Sequence, residues 1–219
     1  MMDLQKHEQF EMEVLKLLSD NQLLNSLTFG GGTCLRLCFG LNRYSVDLDF
    51  FRRESTGKSF FTKLREVIES HYEVTDFWEK HFAFLIEFRS PQYPKRLKVE
   101  MRKRIVKSYK TELNIAFSPF SSTQVRLMTF TLEQMWKNKV AALLERKEIR
   151  DAYDLEFIFK KNKAYATTTP RPTQQRILAI LDSFKPRDFK VKLGSLIENE
   201  DRAFYNQNGF KILKNGLLS

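Results

Sequence analysis

Two short stretches of this chain combine residue types that handle phosphate and metal ions. The first, Phe29-Gly30-Gly31-Gly32-Thr33, is a glycine run opening a predicted helix, where backbone N–H groups can approach a phosphate closely. The second, Arg43-Tyr44-Ser45-Val46-Asp47-Leu48-Asp49-Phe50, sets two aspartates at i and i+2 on a predicted strand, so both carboxylates share one face. Such a pair can hold Mg²⁺ against a triphosphate. A phosphate cradle, a short helix and then a D-x-D strand is the layout of an enzyme that moves a nucleotide. Taken singly, the glycines could be a tight turn without a ligand, and the acids a solvent-facing strand edge. Their order and spacing favour the joint reading.

Nucleotidyl transfer rests on positioning and charge neutralisation, and a third acid on a neighbouring strand completes a site for two metal ions. Residues 96–106 alternate Leu97, Val99 and Met101 against Lys98, Glu100 and Arg102. Glu100 is the candidate for that third acid, with Glu87 of Leu85-Ile86-Glu87-Phe88 as the alternative. The plainer reading of Glu100 is an exposed acid offsetting Lys98 and Arg102.

The elements that must carry these residues follow from periodicity. Phe10, Val14, Leu17 and Leu18 predict an amphipathic helix over 4–21, and residues 23–29 lead into a short strand that delivers the glycines. A helix over 33–39 stops at Gly40. Strands are expected over 45–51, 72–77, 82–88, 96–106, 115–120 and 125–128, with a helix beginning at Gly57 and running through Ile68. From Thr131 the character becomes helical, with helices over 131–147, 151–159 and 173–184 and a helical tail from Phe189. The expectation is an α+β fold, a mixed sheet flanked by helices followed by a helical C-terminal domain. The division falls into 1–129 and 130–219, with a cleft between them.

Composition bounds the class. The chain has 219 residues, 42% of them hydrophobic, including 20 Phe, enough for a large core. No run approaches a membrane span, and the N-terminus lacks the apolar stretch of a signal peptide, so a cytoplasmic protein is expected. Cys34 and Cys38 are too few for a disulfide framework and read as small residues packing a helix. His7, His71 and His81 are scattered, with neither zinc spacing nor a Ser-His-Asp pattern. The net charge of +10 is concentrated at Lys95 to Lys110, Lys160 to Lys163 and Lys185 to Lys192. A surface of that kind favours a polyanion.

The two motifs, followed by Leu132-Glu133-Gln134-Met135-Trp136-Lys137-Asn138-Lys139-Val140-Ala141-Ala142-Leu143-Leu144-Glu145-Arg146 and Arg150-Asp151-Ala152-Tyr153-Asp154-Leu155, resemble the AbiEii/AbiGii toxin family within the polymerase-beta-type nucleotidyltransferase superfamily. The resemblance spans residues 29–155 and implies a nucleotidyltransferase of a bacterial toxin–antitoxin and phage-defence system. It implies that Asp47, Asp49, Lys139 and Asp151 are catalytic, that Gly31, Gly32, Thr33, Arg43, Ser45 and Lys139 bind the nucleotide, and that Asp154 plays a supporting part. Asp47, Asp49 and Glu100 would take Mg²⁺. Partners implied are a nucleoside triphosphate, an RNA acceptor and a cognate antitoxin. Given the basic surface, transfer of NMP to the 3′ end of tRNA is expected, which would block aminoacylation and stop translation. Two rivals stand beside it. One is a nucleotidyltransferase acting on a small molecule or a protein hydroxyl. The other is an inactive core that only binds RNA or a partner.

Overall fold

The computed structural model describes residues 2–53, 58–105 and 107–218, with the side chain of Lys58 excepted. Helix α1 (Met2–Asp20) and a 3₁₀ turn (Leu23–Ser26) precede strand β1 (Leu27–Gly30), helix α2 (Gly31–Phe39) and strand β2 (Asp47–Arg52). Next come α3 (Lys58–Glu69), β3 (Glu73–Glu79), β4 (Ala83–Arg89), β5 (Leu97–Arg102), β6 (Thr111–Phe117) and β7 (Gln124–Phe130). Helices α4 (Leu132–Arg146), α5 (Ile149–Lys161), α6 (Ala164–Thr167) and α7 (Arg171–Ser183) follow. A π-helical stretch (Asp188–Leu193), α8 (Asn199–Asn208) and α9 (Lys211–Leu218) complete the described chain. The expected α+β class is the observed one. Gly57, expected to begin a helix, and Val106, expected to end a strand, lie outside the described residues. None of the described helices is long and apolar enough to cross a membrane.

Two compact units divide the chain: residues 1–40 with 44–131, and residues 41–43 with 132–219. The first is built on a seven-stranded sheet of order β3-β4-β5-β2-β1-β7-β6. At its centre β1 runs antiparallel to β2 and parallel to β7, while β2 runs parallel to β5. Alternation divides the sheet's faces. Leu48 and Phe50 of β2, Val99 and Met101 of β5, and Phe84, Ile86 and Phe88 of β4 are fully buried on one of them. The helices cover that face: Phe10 of α1 meets Phe88 edge-on at 5.7 Å, and Phe61 of α3 stacks on Phe84 at 5.1 Å. The other face carries Asp47, Asp49 and Glu100, all partly exposed.

Helix α1 holds more than an apolar stripe. Its inward face runs Leu4, His7, Glu8, Glu11, Val14, Leu15, Leu18, so three polar side chains are buried with the leucines. The expected stop at Gly40 is present. Its φ of 79° is the left-handed conformation glycine tolerates, and its N–H returns to the Arg36 carbonyl.

The second unit is helical. Carboxylate Glu156, fully buried on α5, accepts hydrogen bonds from Tyr205 Oη and the Leu213 amide at 2.9 Å each, tying α8 and α9 to α5. Trp136 Nε1 donates to Thr169 Oγ1 at 2.9 Å, and Gln174 Nε2 donates to the carbonyls of Ala166 and Thr169. These bonds fix the segment before α7, where Pro170 and Pro172 flank the first helical residue.

Candidate active site

Strand β1 runs straight into helix α2, and the glycines allow the join. Gly31 has a φ of 73°, where any other residue is strained, and a Cβ added there would lie 2.0 Å from Asp49 Oδ2. The Asp49 carboxylate therefore rests directly against the first residue of α2, at the positive end of the helix dipole. Gly30 allows a second close approach. A Cβ there would lie 2.9 Å from the Phe51 ring and 3.1 Å from the Phe130 ring. Gly31→Ala is expected to displace Asp49 and cut turnover by roughly a hundredfold, since a misplacement of about 1 Å at a reacting centre has that cost. Steady-state kinetics beside a thermal melt would check it.

Register places the acids. Asp49 stands opposite Gly30 on one side and Glu100 on the other, while Asp47 stands opposite Lys98. Lys98 Nζ is 3.2 Å from Asp47 Oδ2, and Glu100 Oε1 is 3.6 Å from the Arg102 guanidinium. Glu87 lies one strand further out, opposite Lys98, and accepts from Arg96 and from Thr75 at 3.0 Å each. The Arg96 hydrogen bond holds its carboxyl below the usual range. Glu100, not Glu87, is thus the direct neighbour of Asp49. No cluster of three or more His, Cys, Asp or Glu positioned to hold a metal ion occurs among the described residues. The donors at β2 and β5 are carboxylate oxygens, the chemistry that suits a hard divalent cation, and Lys98 is the group such an ion would displace from Asp47.

Behind β2, buried side chains grip consecutive carbonyls of the D-x-D segment. His7 Nε2 bonds the Val46 carbonyl at 3.0 Å, and the hydroxyl of Thr33 donates to the Asp47 carbonyl at 2.6 Å. Thr33 is fully buried, so its hydroxyl serves to fix the strand. Glu11 lies beneath with its Oε1 3.7 Å from His7 Nε2, and Glu8 pairs with Arg36 of α2. Burial, then the Glu8 charge, push the Glu11 carboxyl well above its usual value. A carboxyl with a raised folded pKa contributes stability that is full below its unfolded value, about pH 4.3, and lost as pH rises through the folded value. Glu11→Gln, which keeps a neutral side chain of the same shape, is expected to flatten that loss in denaturant titrations between pH 5 and 8. No motif in the sequence marks His7, Glu8 or Glu11. Their positions on the 3.6-residue period of Leu4, Leu15 and Leu18 were the available signal.

The helical unit holds a buried ion-pair array. Arg43, 3% exposed, donates from Nε and Nη2 to the two Asp154 oxygens at 2.6 and 2.7 Å. Lys139 Nζ lies 2.6 Å from Asp154 Oδ2 and 3.2 Å from Asp151 Oδ1, and Arg146 reaches both oxygens of Asp151 at 2.9 Å. Burial would raise the Asp154 carboxyl, but the Arg43 and Lys139 charges overcome it and hold it below its usual value. Helix packing explains the inward lysine: Met135, Trp136, Lys139 and Leu143 share the buried face of α4. Arg43 precedes the strand of the D-x-D motif in sequence, yet its side chain serves α5. Ser45 is half-buried in the segment between them.

A mixed sheet with a glycine turn into a helix, and a D-x-D pair on the strand beside that turn, defines the nucleotidyltransferase class. The family model described as nucleotidyl transferase AbiEii toxin, type IV toxin–antitoxin system, matches residues 13–206. The chain belongs to this AbiEii family and is a nucleotidyltransferase of toxin type. Two solved structures from Helicobacter pylori share the fold. The structure of JHP933 is 19% identical, with 95% of this chain and 93% of that one covered and a TM-score of 0.57. One described as a candidate nucleotidyltransferase is 18% identical, with 96% of each chain covered and a TM-score of 0.59. None of the curated proteins matches at a significant level.

Proposed function

We propose that the protein transfers NMP from a nucleoside triphosphate to the 3′ hydroxyl of an RNA, with tRNA as the acceptor, and so stops translation. The observation that carries this reading is the Asp49 carboxylate lying against Gly31, because it sets a charge-binding group beside the amides that would hold phosphate. In the transfer, the acceptor oxygen bonds to the α-phosphorus, the α–β bridging bond breaks, and pyrophosphate leaves. Bound Mg²⁺ would neutralise the triphosphate and the developing charge. Asp47 and Asp49, with Glu100 beside them, would hold it. Gly31 and Gly32 present backbone amides to the β- and γ-phosphates, and Thr33 and His7 keep the strand beneath them in place. Arg43 is engaged by both Asp154 oxygens and would hold the start of the segment that carries Ser45. Lys139 and Asp151 would take part in the transfer, as the resemblance to the family implies.

The family's toxin–antitoxin character supports a cognate antitoxin as partner, a cytoplasmic site of action and phage defence as the setting. The basic surface favours RNA over a cationic small molecule. The test supplies each of the four α-labelled NTPs with Mg²⁺ and total tRNA, with half of the tRNA carrying a periodate-blocked 3′ end. Label on intact tRNA alone supports the reading. Label on blocked tRNA, on added protein or on an aminoglycoside transfers the assignment to that acceptor.

A further inference from the structure

On the same sheet face as the acids lies a small well that the reaction, as described, does not use. Phe51 follows Asp49 by two residues on β2, so its side chain shares the face of Asp47 and Asp49, about 7 Å further along the strand. Its ring meets Phe130 at 4.8 Å and Tyr109 at 6.3 Å, and Tyr109 meets Phe130 at 5.2 Å, all edge-to-face. Phe51 and Phe130 are also the rings packed against Gly30 of the glycine turn. The three rings line a pocket of about 160 Å³ together with Thr28, Thr111, Arg53 and Lys107. Phe130 is buried, while Phe51 and Tyr109 are partly exposed.

The lining has a specific chemistry. None of the described residues lining it is acidic, and Arg53 and Lys107 bring positive charge to it. Arg53 gives one N–H donor to the Asn25 carbonyl at 3.3 Å, which anchors the guanidinium at the β2 end of the well. The volume equals roughly five waters, the scale of one flat ring system rather than a whole nucleotide. Aromatic walls take a base by stacking or edge contact, and cations beside them take the adjoining phosphate. On the proposed reading the triphosphate would take the amides at Gly31 and Gly32, so a phosphate at Arg53 and Lys107 would belong to a different group.

We propose that this well binds the terminal base of the RNA acceptor, with its preceding phosphodiester on Arg53 and Lys107. The inference rests on the RNA-acceptor reading above and deepens it: recognition at this point is of an unpaired, stacked end rather than of a duplex.

Tyr109→Ala and Lys107→Ala test it, with Tyr109→Phe as the variant that keeps the ring. The first readout needs no turnover: fluorescence titration of the full-length protein with a short single-stranded oligoribonucleotide, over a range of salt. Tyr109→Ala is expected to weaken binding roughly tenfold or more, as loss of one stacked base does, and Tyr109→Phe to restore it. Lys107→Ala is expected to lower the salt slope by about one. The second readout is turnover, in which Tyr109→Ala raises KM for tRNA and leaves KM for the NTP unchanged. A raised NTP KM with unchanged RNA KM overturns the proposal by giving the well to the incoming base. Oligonucleotide binding indifferent to Tyr109 overturns it outright. Wild-type protein that binds the oligonucleotide through Tyr109 but labels no RNA leaves the well as an RNA site and defeats the transfer reading instead.

Discussion

Asp49→Asn is expected to abolish nucleotide transfer while leaving the fold intact. Asparagine has the same shape, so the contact with Gly31 survives, but the charge that attracts a divalent cation is gone. Several kcal/mol of transition-state stabilisation come from a metal on the transferring phosphoryl group. A loss of about 4 kcal/mol corresponds to roughly a thousandfold in rate. The residue is partly exposed, so the melting temperature should stay within about 2 °C of wild type. Asp47→Asn should behave alike, with one difference. Asp47 is salt-bridged to Lys98, so its loss also leaves a lysine without that partner at the site, and binding of the triphosphate itself should tighten while turnover falls. Equilibrium nucleotide binding beside kcat would separate the two effects.

Asp154→Ala should be the most destabilising single change in the helical unit. It removes the shared partner of Arg43 and Lys139, both nearly buried, and leaves their charges without that compensation in a low-dielectric interior. Breaking a buried pair in this way costs about 3–5 kcal/mol. For a chain of this size that lowers the melting temperature by roughly 6–20 °C. Replacing both partners, Arg43→Met with Asp154→Leu, should recover part of the loss, since Lys139 keeps Asp151. The pH dependence has a fixed sign. The folded carboxyl sits below its unfolded value, so its stabilisation is present above about pH 4 and is lost as pH falls through the folded value. Denaturant titrations at pH 3 and pH 7 would therefore show the Asp154→Ala penalty shrinking at the lower pH. Since Lys139 and Asp151 share this array, activity lost on mutating either must be read beside its melt. Lys139→Arg, which keeps the charge, is the cleaner probe of catalysis.

The architecture was largely readable from periodicity. Apolar alternation in Leu97, Val99 and Met101, and the 3.6-residue spacing of Phe10, Val14 and Leu18, report which face is inward, and those residues are buried. Glycine chemistry marked the turn into α2 and the stop at Gly40, because only backbone conformation was at stake. Pairings across long separations were harder to read. Periodicity says that a side chain faces inward, but not that Arg43 finds Asp154 across 111 residues, or that Glu8 finds Arg36 across 28. The buried polar face of α1 was hidden because His7, Glu8 and Glu11 have types usually counted as outward. Strand β6 spans Thr111–Phe117 rather than the expected 115–120, and its alternating Leu113, Ile115 and Phe117 stand half-exposed while Ala116 is buried. Its polar–apolar alternation therefore gives no inward signal.

The most direct test of the site compares α-labelled with γ-labelled NTP in the presence of Mg²⁺ and tRNA, for wild type and Asp49→Asn. Transfer of the α-label to acceptor by wild type alone, with the γ-label released as pyrophosphate, is the result the arrangement of Gly31, Asp47 and Asp49 predicts. Transfer of the γ-label, or undiminished α-label transfer by Asp49→Asn, would contradict it.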